Sequence, residues 1–191
     1  MNMKVLILDN YDSFTYNLVH IIRELGGVEL DIFRNDKIDI KEVEKYDKIL
    51  ISPGPGIPDE AGILKQVVTT YGDHKSILGV CLGHQGIAEV YGSELFNMPE
   101  VMHGISSTIT VTDADDYMFK GVPSSFKGCH YHSWAVVPES ISDQLKVTAL
   151  DERGNIMALS HKEYDVKGLQ FHPESILTEN GKQMLENWLR N

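Results

Sequence analysis

The chain has 191 residues, 42% of them hydrophobic, and its 28 acidic against 17 basic side chains give a formal net charge of −11. That length suits one sizeable core and is short for two, so a single domain over residues 1–191 is expected. The acidity and the lack of any dense Lys/Arg cluster argue against a nucleic-acid or anionic-membrane partner, and no apolar run approaches the roughly 20 residues of a membrane span.

Residues 4–8 read as a buried strand, after which Phe14, Leu18, Ile21, Ile22 and Leu25 recur at helical spacing until Gly26-Gly27 closes the helix. Residues 28–33 alternate as a strand, a short helix follows around 40–43, and 48–52 form another apolar strand. Helix 61–71 and strand 76–80 continue the alternation, which predicts a parallel sheet with helices on both faces. The second half changes character. Segments 105–111, 125–131, 145–150, 156–160 and 166–171 read as strands joined by short polar turns such as Asp151-Glu152-Arg153-Gly154-Asn155, predicting antiparallel additions. Thr178 is the expected cap of a last helix whose Met184, Leu185, Trp188 and Leu189 form a core-facing stripe. The fold class is therefore α/β: one domain with a mostly parallel central sheet, helices on both faces and antiparallel additions. The N-terminus enters its strand without a signal-peptide pattern, and Cys81 and Cys129 are too few for a disulfide framework, so a cytoplasmic protein is expected.

The most informative local pattern is Gly79-Val80-Cys81-Leu82-Gly83-His84-Gln85. The apolar run 76–80 gives way there to the helical spacing of Ile87, Ala88, Val90 and Tyr91, placing Cys81 at a strand-to-helix corner. The flanking glycines are expected to permit a sharp turn that pushes the thiol out of the sheet. At a helix N-terminus the thiol feels the positive end of the dipole, and the Leu82 N–H points where an oxyanion would form. In isolation such a turn is as often a buried structural cysteine. Its surroundings favour chemistry. Ligands of parallel sheets bind beyond the strand C-termini, and Asp9, Ser52 and Cys81 all stand at such ends. Asp9-Asn10-Tyr11-Asp12, Pro53-Gly54-Pro55-Gly56 and the cysteine turn thus share one rim, where the Pro-Gly loop can supply a second amide donor. A thiol nucleophile needs a base, and His172 ends an apolar strand in Gln170-Phe171-His172-Pro173-Glu174-Ser175. Glu174 can accept its second ring N–H, which makes Cys81, His172 and Glu174 a candidate triad. Gln85, one helical turn past the cysteine, can reach the polar end of a bound amino acid. Cys129-His130-Tyr131-His132 holds zinc-ligand residue types on a strand, yet no second cluster of suitable spacing accompanies it and no metal is expected.

Taken together, Asp9-Asn10-Tyr11-Asp12-Ser13-Phe14-Thr15-Tyr16-Asn17-Leu18, Pro53-Gly54-Pro55-Gly56, the 79–85 turn, Tyr131-His132-Ser133 and the 170–175 segment resemble the class I, triad-type glutamine amidotransferases. The resemblance spans nearly the whole chain. The opening segment is similar to that of the small subunit of anthranilate synthase and of its relative, the amidotransferase subunit of aminodeoxychorismate synthase. A flavodoxin-like fold is implied. So is a glutaminase in which Cys81 attacks the side-chain amide of glutamine, His172 protonates the departing ammonia, and water hydrolyses a γ-glutamyl thioester. The resemblance implies that Gly54, Pro55, Gly56, Gln85 and the backbone at Ser133 and Trp134 bind glutamine, with Gly56 and Leu82 donating to the oxyanion. It implies no cofactor in this chain. The ammonia would pass to a chorismate-binding synthase subunit that carries magnesium, in tryptophan or folate synthesis. Two departures stand out. The family often has His-Gly-Lys at His103-Gly104-Ile105, and Arg-Tyr-His-Ser-Leu at His130-Tyr131-His132-Ser133-Trp134. Neither touches the triad, and both are expected near the glutamine pocket and partner face.

Overall fold

The computed structural model describes residues 2–191. Among them, nine strands join one sheet: β1 (Met3–Asp9), β2 (Val28–Arg34), β3 (Lys48–Ile51), β4 (Ser76–Val80), β5 (Leu95–Val111), β6 (Ser125–Val136), β7 (Leu145–Asp151), β8 (Ile156–His161) and β9 (Val166–Leu169). Their order is β2-β1-β3-β4-β9-β8-β7-β5-β6. The first five in that order pair in parallel and the rest antiparallel. Helices α1 (Thr15–Leu25) and α4 (Gly181–Arg190) pack on one face through Leu18, Val19, Ile22, Met184, Leu185 and Trp188. On the opposite face, α2 (Leu64–Tyr71) and α3 (Leu82–Val90) bury Leu64, Val67, Val68, Ile87 and Ala88. Coverage on both sides is why β1 and β3 are continuous apolar runs. Lys48, at the start of buried β3, is accommodated because its Nζ donates to the carbonyls of Trp188 and Asn191 at the C-terminus of α4.

The parallel register positions the rim. Leu8 lies beside Ile51, Ile51 beside Gly79, and Gly79 beside Gly168, so the residues that follow β1, β3, β4 and β9 emerge at one level.

Several expected boundaries move. Strand 166–169 is not an antiparallel addition: it pairs in parallel with β4 and antiparallel with β8, joining the two halves of the sheet. β5 begins at Leu95 rather than at residue 105, because its first ten residues have an irregular apolar pattern and hold their pairing with β6 through register shifts near Asn97/Met102 and His103/Ile105. The helix expected from residue 61 starts at Leu64, behind a 3-10 turn over Pro58–Glu60 led by proline, and the short helix near residue 40 is a 3-10 turn over Ile40–Lys45 capped by Asp39. Thr178 does not cap α4, which starts after a left-handed Asn180. Its Oγ1 instead accepts the Cys129 N–H and donates to the His172 carbonyl, tying the His172 turn to β6.

Candidate active site

Cys81 stands between β4 and α3 with φ 53° and ψ −100°, in a region that costs a non-glycine residue about 1–3 kcal/mol. The strain therefore falls on the cysteine itself. The flanking glycines serve close packing instead: a Cβ on Gly79 would sit 2.4 Å from the Gly83 carbonyl carbon, and one on Gly83 would sit 2.6 Å from the Ile51 oxygen. The helix start can thus lie directly over the ends of β3 and β4. The Cys81 side chain is directed toward β6 and β9, with Sγ 3.9 Å from the Tyr131 carbonyl oxygen and 3.7 Å from Gln170 Nε2.

His172 and Glu174 meet in the turn after β9, where Pro173 ends the extended run. Nδ1 lies 2.6 Å from Glu174 Oε1, and both side chains are buried. Phe14 and Tyr131 pack edge-on against the imidazole, with centroids 5.7 and 5.3 Å away. Burial opposes the imidazolium, yet its attraction to Cys81 and to the Glu174 carboxylate outweighs that penalty and lifts the ring to about 10. Nδ1 is committed to Glu174, whereas buried Nε2 has no hydrogen-bond partner among the described residues. One ring nitrogen is fixed and the other is free to exchange a proton.

A cleft of about 170 Å³ opens at the thiol, lined by Gly54, Pro55, Gly56, Cys81, Gln85, Ser133 and Trp134, together with Val101, Met102, His103, Tyr131 and His132. Leu82 is buried, and its N–H belongs to the first turn of α3, which has no intrahelical acceptor. The opening motif builds the rim rather than the cleft lining. Asp9 Oδ1 accepts from the Tyr11 and Asp12 amides and the Thr15 hydroxyl, while Asn10 bonds the Ser52 hydroxyl through its N–H and the Ser52 carbonyl through its side chain. A Cβ on Gly54 would lie 2.6 Å from Asn10 Cβ, so the Pro-Gly loop packs directly against this scaffold.

His130 and His132 point to the face of β6 opposite Cys129, as strand alternation requires, so the three cannot converge on an ion. No group of three His, Cys, Asp or Glu among the described residues is arranged to hold a metal. The histidines bond instead in a line: Ser107 Oγ lies 2.6 Å from His130 Nε2, His130 Nδ1 3.3 Å from His132 Nε2, and His132 Nδ1 2.8 Å from the Trp134 carbonyl. Burial is the leading cause that pushes both rings down, His130 to about 4, so they are neutral at pH 7. Two of the positions that depart from the family pattern, Ile105 and His130, face each other across β5 and β6. The His103 segment lies at the pocket as expected, whereas sequence reasoning missed Val101 and Met102, hidden in the irregular start of β5, and also missed Gln170. A polar residue within the apolar Leu169-Gln170-Phe171 run was the available signal for the latter.

A thiol on a strained strand-to-helix corner, beside a buried histidine–carboxylate pair and unpaired main-chain donors, is equipped for acyl transfer through a cysteine nucleophile. The sequence matches the family described as "Glutamine amidotransferase class-I" over residues 6–191, and the chain belongs to that family. It is 44% identical over 187 residues to the aminodeoxychorismate/anthranilate synthase component 2 of Bacillus subtilis, covering 97% of this chain and 95% of that protein. It is 41% identical over 192 residues to anthranilate synthase component 2 of Mycobacterium tuberculosis, covering 98% and 82%. Against the bifunctional protein TrpGD of Thermotoga maritima the identity is 43% over 189 residues, and the match spans 97% of this chain but only 32% of that longer protein. Among solved structures, one described as belonging to a putative GMP synthase of Thermoplasma acidophilum superposes with a TM-score of 0.89 at 25% identity, covering 100% of this chain and 94% of that one. No helix among the described residues is long and apolar enough to cross a membrane.

Proposed function

We propose that this chain is the glutaminase subunit of an anthranilate synthase, working as a single amidotransferase domain in the cytoplasm and feeding ammonia to a separate chorismate-binding subunit. Cys81 Sγ adds to the side-chain carbonyl carbon of glutamine, and the Gly56 and Leu82 N–H groups hold the oxyanion. His172 gives its Nε2 proton to the leaving nitrogen, so ammonia departs and a γ-glutamyl thioester remains. Water then attacks the thioester as His172 takes back a proton, and the C–S bond breaks to release glutamate. Glu174 keeps the imidazole in one orientation and balances its charge. Gly54, Pro55, Gly56, Gln85 and the backbone at Ser133 and Trp134 hold the amino-acid end of the substrate. No cofactor is required in this chain, and magnesium belongs to the partner.

The observation that carries this reading is the pairing of the cleft-lining Cys81 with His172, whose other ring nitrogen is held by the buried Glu174. The partner reading is supported by the "component 2" names of the relatives. Exposed apolar side chains also lie at and beside the cleft: Val101, 64% exposed, lines it, and Ile176, 99% exposed, lines with Leu177 a depression that shares Tyr131 with the cleft. The dual name of the Bacillus subtilis relative favours one second reading, service to aminodeoxychorismate synthesis instead of, or beside, anthranilate synthesis. The test is product formation from chorismate, glutamine and magnesium with the organism's chorismate-binding subunits added singly, and Cys81→Ser as control. Anthranilate formation abolished by the substitution is expected, with ammonia still accepted. Aminodeoxychorismate alone would move the chain to the second reading, and no glutamine-dependent product with any partner would overturn both.

A further inference from the structure

Gln170, the residue directly after β9, is fully buried and its amide is spoken for at both ends. Its Oε1 accepts from Gln85 Nε2 at 3.2 Å, and its Nε2 donates toward Cys81 Sγ at 3.7 Å. Gln85 cannot turn away, because the same nitrogen also donates to the Trp134 carbonyl at 2.9 Å. That carbonyl is anchored in turn by His132 Nδ1 at 2.8 Å. The polarity of the line is thereby set from its far end. Both Gln85 protons are engaged, which obliges Gln170 to present its oxygen to Gln85 and its N–H to the sulfur.

We propose that Gln170 is a positioning residue for the Cys81 nucleophile, presenting a fixed amide N–H that favours the thiolate over the thiol and holds Sγ toward the cleft. This rests on the reading of Cys81 as the nucleophile and adds a donor beyond the Cys81, His172 and Glu174 set. The physical ground is that a hydrogen bond donated to the charged form of a group stabilises that form, most strongly where water is excluded. Desolvating Gln170 between apolar neighbours is costly unless both ends of its amide are used, which is the arrangement observed.

The experiment measures alkylation of Cys81 by iodoacetamide as a function of pH, with the Cys81→Ser variant correcting for Cys129. Gln170→Met keeps the shape and removes the donor. Gln170→Glu keeps an acceptor for Gln85 and puts a negative charge beside the sulfur. The groups that share the surroundings of Cys81, namely His172, Glu174, Asp12 and His132, stay in place in both variants. The reactivity midpoint is expected to rise by about one pH unit in Gln170→Met, a roughly tenfold loss of reactivity at a fixed pH below it. A larger rise is expected in Gln170→Glu. Midpoints that coincide with wild type in the folded variants overturn the proposal. Should neither variant fold, the side-chain amide NMR signal of Gln170 in the unmodified protein decides: it must shift with the midpoint of Cys81 alkylation, and a signal indifferent to that titration also overturns it. If Cys81 in the unmodified protein reacts no faster than an ordinary thiol, the nucleophile reading fails, which is a distinct result.

Discussion

Acidification between pH 6 and pH 5 should destabilise this protein before its carboxylates titrate in bulk, and the cause lies in two buried histidines. His84 on α3 is fully buried, neither ring nitrogen has a well-formed hydrogen bond among the described residues, and burial, only partly offset by the Gly168 backbone, pushes it from 6.5 to about 3. His130 falls to about 4, chiefly through burial. Well above pH 6.5 the rings are neutral in folded and unfolded chains alike, so their contribution is complete. Below 6.5 only the unfolded chain takes up the protons, and stability is lost as the pH falls toward the folded values. Near pH 5.5 each ring leaves the folded state short of nearly one proton. Together they give a slope of about 2 kcal/mol per pH unit, to which His132, lowered chiefly by burial, adds. His172 behaves in the opposite sense. Its raised value makes its contribution complete below 6.5 and lost as the pH climbs toward about 10, at up to about 1.4 kcal/mol per unit. Urea unfolding at half-unit pH steps measures both limbs. His84→Leu should remove between about a third and a half of the acid slope, and Glu174→Gln should flatten the alkaline one. A stability flat from pH 6 to pH 5 in the wild-type protein would refute the reasoning.

Cys81→Gly should abolish glutaminase activity yet raise stability by about 1 kcal/mol in thermal or urea unfolding, because glycine adopts φ 53° without the cysteine's strain; a lower melting temperature would show that the corner is relaxed. Lys167→Ala should cost about 1–3 kcal/mol, since its Nζ pairs with buried Asp116 at 2.9 Å and the deletion leaves that carboxylate only the Ser160 hydroxyl and the Met118 N–H. Adding Asp116→Asn should recover part of the loss, and an additive double variant would deny the coupling. Ile176→Glu, at a fully exposed position beside the His172 turn, should weaken binding of the proposed chorismate-binding partner by about tenfold or more in titration calorimetry, with the melting temperature of the isolated chain unchanged. Equal binding would remove that side of the rim from the docking surface.

The first half of the fold was legible because each buried strand is a short apolar run and each helix a 3.6-residue stripe, punctuated by glycine or proline. The corner at Cys81 was legible for the same reason, since the period changes there. What escaped depends on contacts distant in sequence. The start of β5 carries an irregular apolar pattern, and its strand conformation is imposed by pairing with β6. The parallel placement of β9 beside β4 could not be read from a run of four residues that also forms a hairpin with β8. Thr178 looked like a helix cap because its residue type and position fit one, but the orphan amide it satisfies is that of Cys129, 49 residues away. Gln170 and the His130–His132 pair acquire their roles only when β9, β6 and α3 meet.

That meeting gives Cys81 two unlike sides. On one, His172 is held as a cation by Glu174 and walled by Phe14 and Tyr131. On the other, a line of amides and imidazoles runs from Gln170 through Gln85 and the Trp134 carbonyl to His132 and His130. Protonation of that line is opposed twice, by burial and by the positive charge of His172, which depresses both His130 and His132. The converse follows from the same Coulomb attraction and repulsion: a charged His132 would compete with His172 for the imidazolium state. Keeping the histidine line neutral therefore leaves His172 as the one imidazolium the site is built to hold. The direction of the line's Gln85 and Gln170 bonds is fixed independently of that charge, because the Trp134 carbonyl can only accept.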